Sequence, residues 1–274
     1  MTSAGRLALV GSGEYLPVMH EIEEWLLQGR PARYVQLATA AAPEGQRSLD
    51  NWHRLGAEAA RRLGAEQVII DVRTRDDAND PKWAAAISGA GLIYLSGGNP
   101  SFLARTLIGT LVWKAIEHEW RLGSALAGCS AGAMALGGYV PDFRHPRAGG
   151  VEGLGVVPDI RVLPHFDRYA KWVPDFAMRP LVAPGSYIVG IDEDTALVGE
   201  ALVDEALVDE ALVDEALVDE VTAADQGTHV ETKGGLETWQ FRSRGRQSTW
   251  RVEADRRYRV NSALALRVNT GDLG

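Results

Sequence analysis

Residues 124–136 run Ser-Ala-Leu-Ala-Gly-Cys-Ser-Ala-Gly-Ala-Met-Ala-Leu, and the change of pattern inside them decides the fold. Ser124–Ala127 is a short apolar strand candidate. It enters Gly128-Cys129-Ser130-Ala131-Gly132, after which Ala131, Ala133, Met134, Ala135 and Leu136 supply small helix formers. Gly-x-Ser-x-Gly between a strand and a helix is the nucleophile-elbow pattern. The glycines are needed because side chains on either side of a sharply turned serine collide with the neighbouring strand or helix. Such a turn also aims free helix N–H groups at an anion forming beside the serine hydroxyl. Ser130 is therefore the candidate nucleophile. Cys129, one position off the apex, has its side chain directed back into the sheet and is expected to be a buried small hydrophobe.

Working outward, the same alternation recurs. Apolar runs at Leu7–Val10, Tyr34–Leu37, Gln67–Val72 and Leu92–Leu95 predict four more strands, with helices near 18–28, 49–63, 83–87 and 101–120 between them. This order predicts an α/β fold, a mostly parallel sheet with helices on both faces. Ligands of such sheets bind beyond the carboxyl ends of the strands. Both Ser96-Gly97-Gly98-Asn99 and the Ser130 turn fall there. The N–H groups of Gly98 and Ala131 are the candidate oxyanion donors. A serine needs a base. Of the six histidines, His165 alone follows an apolar run, Ile160–Leu163, at the carboxyl end of a probable strand, which makes it the candidate.

The formal charge of −9 is local: residues 201–220 repeat Ala-Leu-Val-Asp-Glu four times, and their eight acids account for all but −1 of it. Net charge thus says little about partners. A five-residue period rotates about 140° per copy on a helix and changes face on a strand, so this tract is expected to be an exposed insertion without a catalytic part. Three segments follow: an α/β hydrolytic domain over 1–200, the repeat over 201–220, and a β-rich C-terminal extension over 221–274 packing on the same domain as a small β appendage. In that extension Arg242, Arg244, Arg246, Arg251, Arg256, Arg257 and Arg259 are expected to form a solvated strand face and not a nucleic-acid patch, since no stacking-aromatic motif accompanies them.

With 46 % hydrophobic residues in 274, a full core can be buried. No apolar run reaches the length of about eighteen residues expected of a membrane span. Met1–Arg6 leads into no signal-like segment. A single cysteine excludes an intrachain disulfide and a cysteine-built metal site. The expected protein is cytoplasmic, binds neither nucleic acid nor membrane, and uses no metal or cofactor; a homodimer is left open.

Ser96-Gly97-Gly98-Asn99, Gly128-Cys129-Ser130-Ala131-Gly132-Ala133, Gly153-Leu154-Gly155 leading to Pro164-His165-Phe166, and Gly190-Ile191-Asp192-Glu193-Asp194-Thr195-Ala196 together resemble peptidase family S51, over about residues 6–200. That family includes dipeptidase E and cyanophycinase, on a fold similar to class I glutamine amidotransferases. The resemblance implies a serine peptidase: Ser130 as nucleophile, His165 as base, Gly98 and Ala131 as oxyanion donors, and metal-free hydrolysis of a peptide or isopeptide bond next to aspartate through an acyl-enzyme. It also implies an acid between serine and histidine. Asp142 is the first choice there and Glu152 the alternative, with Asp159 in the same interval. Asn99, Arg144, Arg168 and Lys171 are candidates for contact with a small, acidic peptide substrate. The segment after His165 lacks the glutamine and the arginine-rich stretch of cyanophycinases, which argues against cyanophycin itself. An amidase or esterase on the same scaffold, or a catalytically silent binding module, are the alternatives.

Overall fold

A computed structural model of the chain describes residues 4–141, 150–169, 187–201, 235–252, 257–261 and 263–271. Asp142, Arg144, Lys171, Arg256 and the pentapeptide copies beyond Ala201 lie outside these residues.

The strands are β1 (Leu7–Val10), β2 (Arg33–Leu37), β3 (Glu66–Ile69), β4 (Leu92–Leu95), β5 (Ala125–Cys129), β6 (Tyr139–Val140), β7 (Val151–Glu152), β8 (Ile160–Pro164), β9 (Tyr187–Ile191), β10 (Thr195–Glu200), β11 (Leu236–Gly245), β12 (Thr249–Val252), β13 (Arg257–Arg259) and β14 (Ala263–Asn269). The helices are α1 (His20–Leu27), α2 (Gln46–Arg62), α3 (Pro81–Ile87), α4 (Pro100–Leu107), α5 (Leu111–Arg121), α6 (Ala131–Leu136) and α7 (Phe166–Tyr169). Among the described residues the main sheet has eight strands in the order β14-β11-β10-β1-β5-β4-β2-β3. From β1 to β3 every pairing is parallel, and from β1 outward to β14 every pairing is antiparallel. A second sheet runs β13-β12-β9-β8. This is the class I glutamine amidotransferase-like arrangement.

Apolar residues on both faces explain why the central strands read as continuous hydrophobic runs and not as alternations. In β1, Leu7 and Leu9 join a core that holds Leu103, Leu107, Val112, Ile116 and Trp120 from α4 and α5. Ala8 and Val10 join the opposite core with Ile22 and Leu26 of α1 and Ala59 and Ala60 of α2. Two helical layers thus clamp one sheet. Each fully buried Leu or Ile contributes roughly 1.5–3 kcal/mol of transfer free energy to this arrangement.

The single helix expected over 101–120 is two. Gly109 adopts φ 70°, and the Thr110 hydroxyl accepts from the Trp113 N–H to cap α5. A left-handed glycine followed by a capping threonine stops one helix and starts the next. At the C-terminal end, β11 and β14 extend the main sheet, while β12 and β13 join the second. In β14, buried Leu264, Leu266 and Val268 alternate with exposed positions, the period of a strand with one face on the core. Arg244 and Arg6 both lie against Trp25, their guanidinium carbons 4.7 and 4.3 Å from its ring centre, so part of this basic surface covers an aromatic ring.

Candidate active site

Because β1, β4 and β5 are parallel neighbours, the turns that follow them, at Gly11–Tyr15, Ser96–Asn99 and Gly128–Gly132, meet at one edge of the sheet. Ser130 sits between β5 and α6 with φ 49° and ψ −107°, a conformation that costs a non-glycine residue about 1–3 kcal/mol. Its N–H donates to Val10 O at 2.9 Å, and its carbonyl accepts from Met134 N–H. The surroundings enforce the turn. A Cβ on Gly128 would lie 2.5 Å from Gly132 C, and one on Gly132 would lie 2.3 Å from Leu95 O. Cys129 is fully buried, and burial, reinforced by the adjacent Glu14, pushes its thiol well above the usual range. It is a neutral interior group, as its place beside the apex implies.

His165 follows β8 and also has positive φ, 51°. Its Nε2 lies 3.1 Å from Ser130 Oγ. Its Nδ1 lies 2.8 Å from Glu193 Oε1. The carboxylate on the imidazole is therefore that of Glu193, where the sequence reading expected Asp142 or Glu152. Asp142 is outside the described residues. Glu152 is exposed on β7, opposite Tyr139, and Asp159 is paired with Arg267.

Glu193 occupies the turn between β9 and β10, and the turn is fixed on every side. Asp192 accepts from Ser248 N–H and from the indole of Trp250. Asp194 adopts φ 54°. The Glu193 N–H donates to Asp167 Oδ1 at 3.0 Å, and Arg168 Nε donates to Glu193 Oε2 at 2.8 Å. With one oxygen on Arg168 and the other on His165, the carboxylate has no freedom to rotate away. Phe166, beside His165, packs on Gly190, where a Cβ would lie 2.5 Å from the ring. That contact seats the residue after His165 directly on β9.

The glycine turn after β4 lies beside the serine: a Cβ on Gly97 would be 3.6 Å from Ser130 Cβ and 3.7 Å from Trp52. Gly97 N–H donates to Glu14 and Asn99 N–H to Ala40 O. Between them the N–H of Gly98 donates to no acceptor among the described residues. Gly98 has φ 136°, and a Cβ there would meet Ala40 O at 2.4 Å, so glycine is required. Asn99 uses its Oδ1 to accept from Phe102 N–H and cap α4, which leaves its Nδ2 for any ligand. Arg168 is 71 % exposed despite its pair with Glu193.

A hydroxyl, an imidazole and a carboxylate in series at hydrogen-bond distance are able to move a proton from oxygen to nitrogen while the carboxylate holds the ring's tautomer. Residues 8–201 match the model of peptidase family S51. The chain belongs to that family.

An S51 peptidase is a serine-type hydrolase, and the chain is classed so. Among its relatives, cyanophycinase of Synechococcus elongatus is 32 % identical over 171 residues, 58 % of this chain and 52 % of that protein. Cyanophycinase of Trichormus variabilis is 31 % identical over 156 residues, 50 % of this chain and 49 % of that protein. The chain spans about half the length of the curated relatives it matches. A crystal structure of a peptidase from an acI-B1 Actinobacterium is 34 % identical, with a TM-score of 0.74 over 96 % of this chain and 97 % of that one. A putative peptidase E of Listeria monocytogenes, at 19 % identity and a TM-score of 0.52 over 72 % of this chain and 95 % of that one, shares the fold. Among the described residues of this S51 chain, no helix is long and apolar enough to cross a membrane.

Glu193 lies just past β9, as His165 lies just past β8, but Asp192 and Asp194 flank it there and no sequence signal separates the three.

Proposed function

We propose that this chain hydrolyses small peptides or isopeptides, aspartyl dipeptides first among them, through an acyl-enzyme on Ser130. The observation that carries the reading is the Ser130–His165–Glu193 series at 3.1 and 2.8 Å. His165 takes the hydroxyl proton on Nε2 as Oγ bonds to the scissile carbonyl carbon. Glu193 holds Nδ1–H and faces the imidazolium that forms. The carbonyl oxygen gains negative charge and is received by the N–H groups of Gly98 and Ala131. The proton on Nε2 then passes to the leaving amine as the C–N bond breaks. Water, deprotonated by the same nitrogen, releases the acid and restores Ser130. The exposed guanidinium of Arg168 at the rim, with Asn99 Nδ2, suits a substrate bearing a carboxylate.

The test is labelling with a fluorophosphonate probe followed by hydrolysis of Asp-X, β-Asp-X and plain dipeptides beside simple esters. Labelling of the folded chain that is lost in Ser130→Ala and still takes place, at whatever rate, in Cys129→Ala, with turnover concentrated on the aspartyl peptides, is the expected result. A folded chain that takes up no probe refutes the hydrolytic assignment of Ser130. Turnover of esters or amides alone refutes the substrate.

A further inference from the structure

Glu14 is 6 % exposed and lies directly behind the site. Its two oxygens are shared between two different catalytic turns: Oε1 accepts from Gly97 N–H at 3.1 Å, and Oε2 accepts from Cys129 Sγ at 2.8 Å. Gly97 adjoins the proposed oxyanion donor Gly98, and Cys129 adjoins Ser130. The approach is close: a Cβ on Gly97 would stand 2.8 Å from Glu14 Oε1 and would press on the carboxylate. The next residue repeats the tie. Tyr15, held at φ 63°, places its hydroxyl 2.6 Å from Ser96 Oγ. Two consecutive residues of the β1 turn therefore fasten two consecutive residues of the β4 turn, and one of them also fastens β5.

We propose that Glu14 is a positioning residue for the reaction: by accepting from Gly97 and Cys129 at once, it fixes the spacing between the oxyanion turn and the nucleophile. This rests on the hydrolase reading above. A buried carboxylate receiving two donors is costly to place unless both are present, and these two donors belong to the loops whose separation decides whether a developing oxyanion meets Gly98. Without the acceptor, Gly97 N–H is left unpaired in the interior, and the turn must move to recover a partner. The neutral thiol acts here as a donor, which gives Cys129 a function apart from the nucleophile.

The experiment measures the second-order rate at which a fluorophosphonate labels Ser130 in the folded parent chain, Glu14→Met and Glu14→Gln. In that step the Oγ–P bond forms, P–F breaks, fluoride leaves and the hydroxyl proton passes to His165 Nε2, while charge grows on the phosphoryl oxygen. Glutamine keeps an oxygen for Gly97 and turns its amide to the sulfur; methionine offers neither. Labelling of Glu14→Met is expected to slow ~100-fold, the scale of losing one oxyanion donor, with Glu14→Gln within about fivefold of the parent. On the preferred peptide, kcat should fall with KM within about threefold. A folded Glu14→Met that labels at the parent rate overturns the proposal, as does Glu14→Gln falling as far as Glu14→Met. Should Glu14→Met not fold, Glu14→Asp, which withdraws the carboxylate by one methylene, is expected to slow labelling about tenfold, and parental labelling of that variant overturns it equally. A parent chain that does not label at all points instead to failure of the Ser130 reading.

Discussion

Replacing Glu23 by glutamine should change how stability depends on pH by about 3 kcal/mol. Glu23 lies in the first turn of α1 and is 1 % exposed. Its Oε1 accepts from Tyr15 N–H and from the Tyr34 hydroxyl, both at 3.3 Å, while Oε2 has no partner among the described residues. Burial pushes its carboxyl from 4.5 up to about 7, against the opposing pull of the Tyr15 N–H and of Arg62. The folded state therefore holds a proton that the unfolded chain has released across that interval. Stability from this group is complete below about pH 4.5, declines as pH rises, and is lost above about pH 7. At 1.36 kcal/mol per unit, a rise from 4.5 to about 7 corresponds to about 3 kcal/mol. Glutamine is neutral throughout and carries no such slope. Its amide, placed where Oε2 lacks a partner, adds a cost of about 1–3 kcal/mol, but that cost is the same at every pH and cancels in the comparison. Urea unfolding of both proteins at intervals from about pH 4.5 to about pH 8 reads the difference. The stability of Glu23→Gln relative to the parent should improve by about 3 kcal/mol over that range. Two parallel curves would refute the assignment of a raised, buried carboxyl to Glu23.

Other substitutions bear on the site itself. Glu193→Gln leaves one oxygen to serve both Arg168 Nε and His165 Nδ1, and an amide turned to Nδ1 reverses the ring's tautomer; kcat on the preferred peptide should fall ~10³–10⁴-fold with the fold intact, and a loss below about tenfold would remove Glu193 from the role of orienting acid. Gly132→Ala raises helix propensity by about 1 kcal/mol, yet its Cβ would overlap Leu95 O at 2.3 Å. Thermal unfolding should show net destabilisation of about 1–3 kcal/mol, and a stabilised variant would contradict the packing of α6 on β4. Arg168→Ala, which removes a 71 % exposed guanidinium and its hold on Glu193, should lower kcat on both peptide classes and raise KM more for aspartyl peptides than for plain dipeptides; equal effects on both substrates would assign Arg168 to holding Glu193 alone.

What was legible in the chain was the part written in local chemistry. Runs such as Leu92–Leu95 ending in Ser96-Gly97-Gly98 announce a parallel strand and its turn, and the elbow around Ser130 declares itself because only glycine fits at 128 and 132. The same logic singles out His165, from its place after an apolar run, and the structure puts its ring beside Ser130. The break at Gly109-Thr110 was also visible in residue types, but the apolar period continues through it and masked the boundary.

Glu193 and Glu14 belong to the other category. Nothing in the sequence around Glu193 separates it from Asp192 and Asp194; only the pairing of β9 with β8 and β12 turns its neighbour toward Ser248 and Trp250 and leaves Glu193 for the imidazole. Glu14 is 115 residues from Cys129, and β5 lies next to β1 in the sheet only because the chain returns to it after building β2, β3 and β4. Local residue types fix which turns form, since steric limits act over a few residues. Which carboxylate meets which turn depends on strand order, and strand order is settled by the joint burial of side chains far apart along the chain.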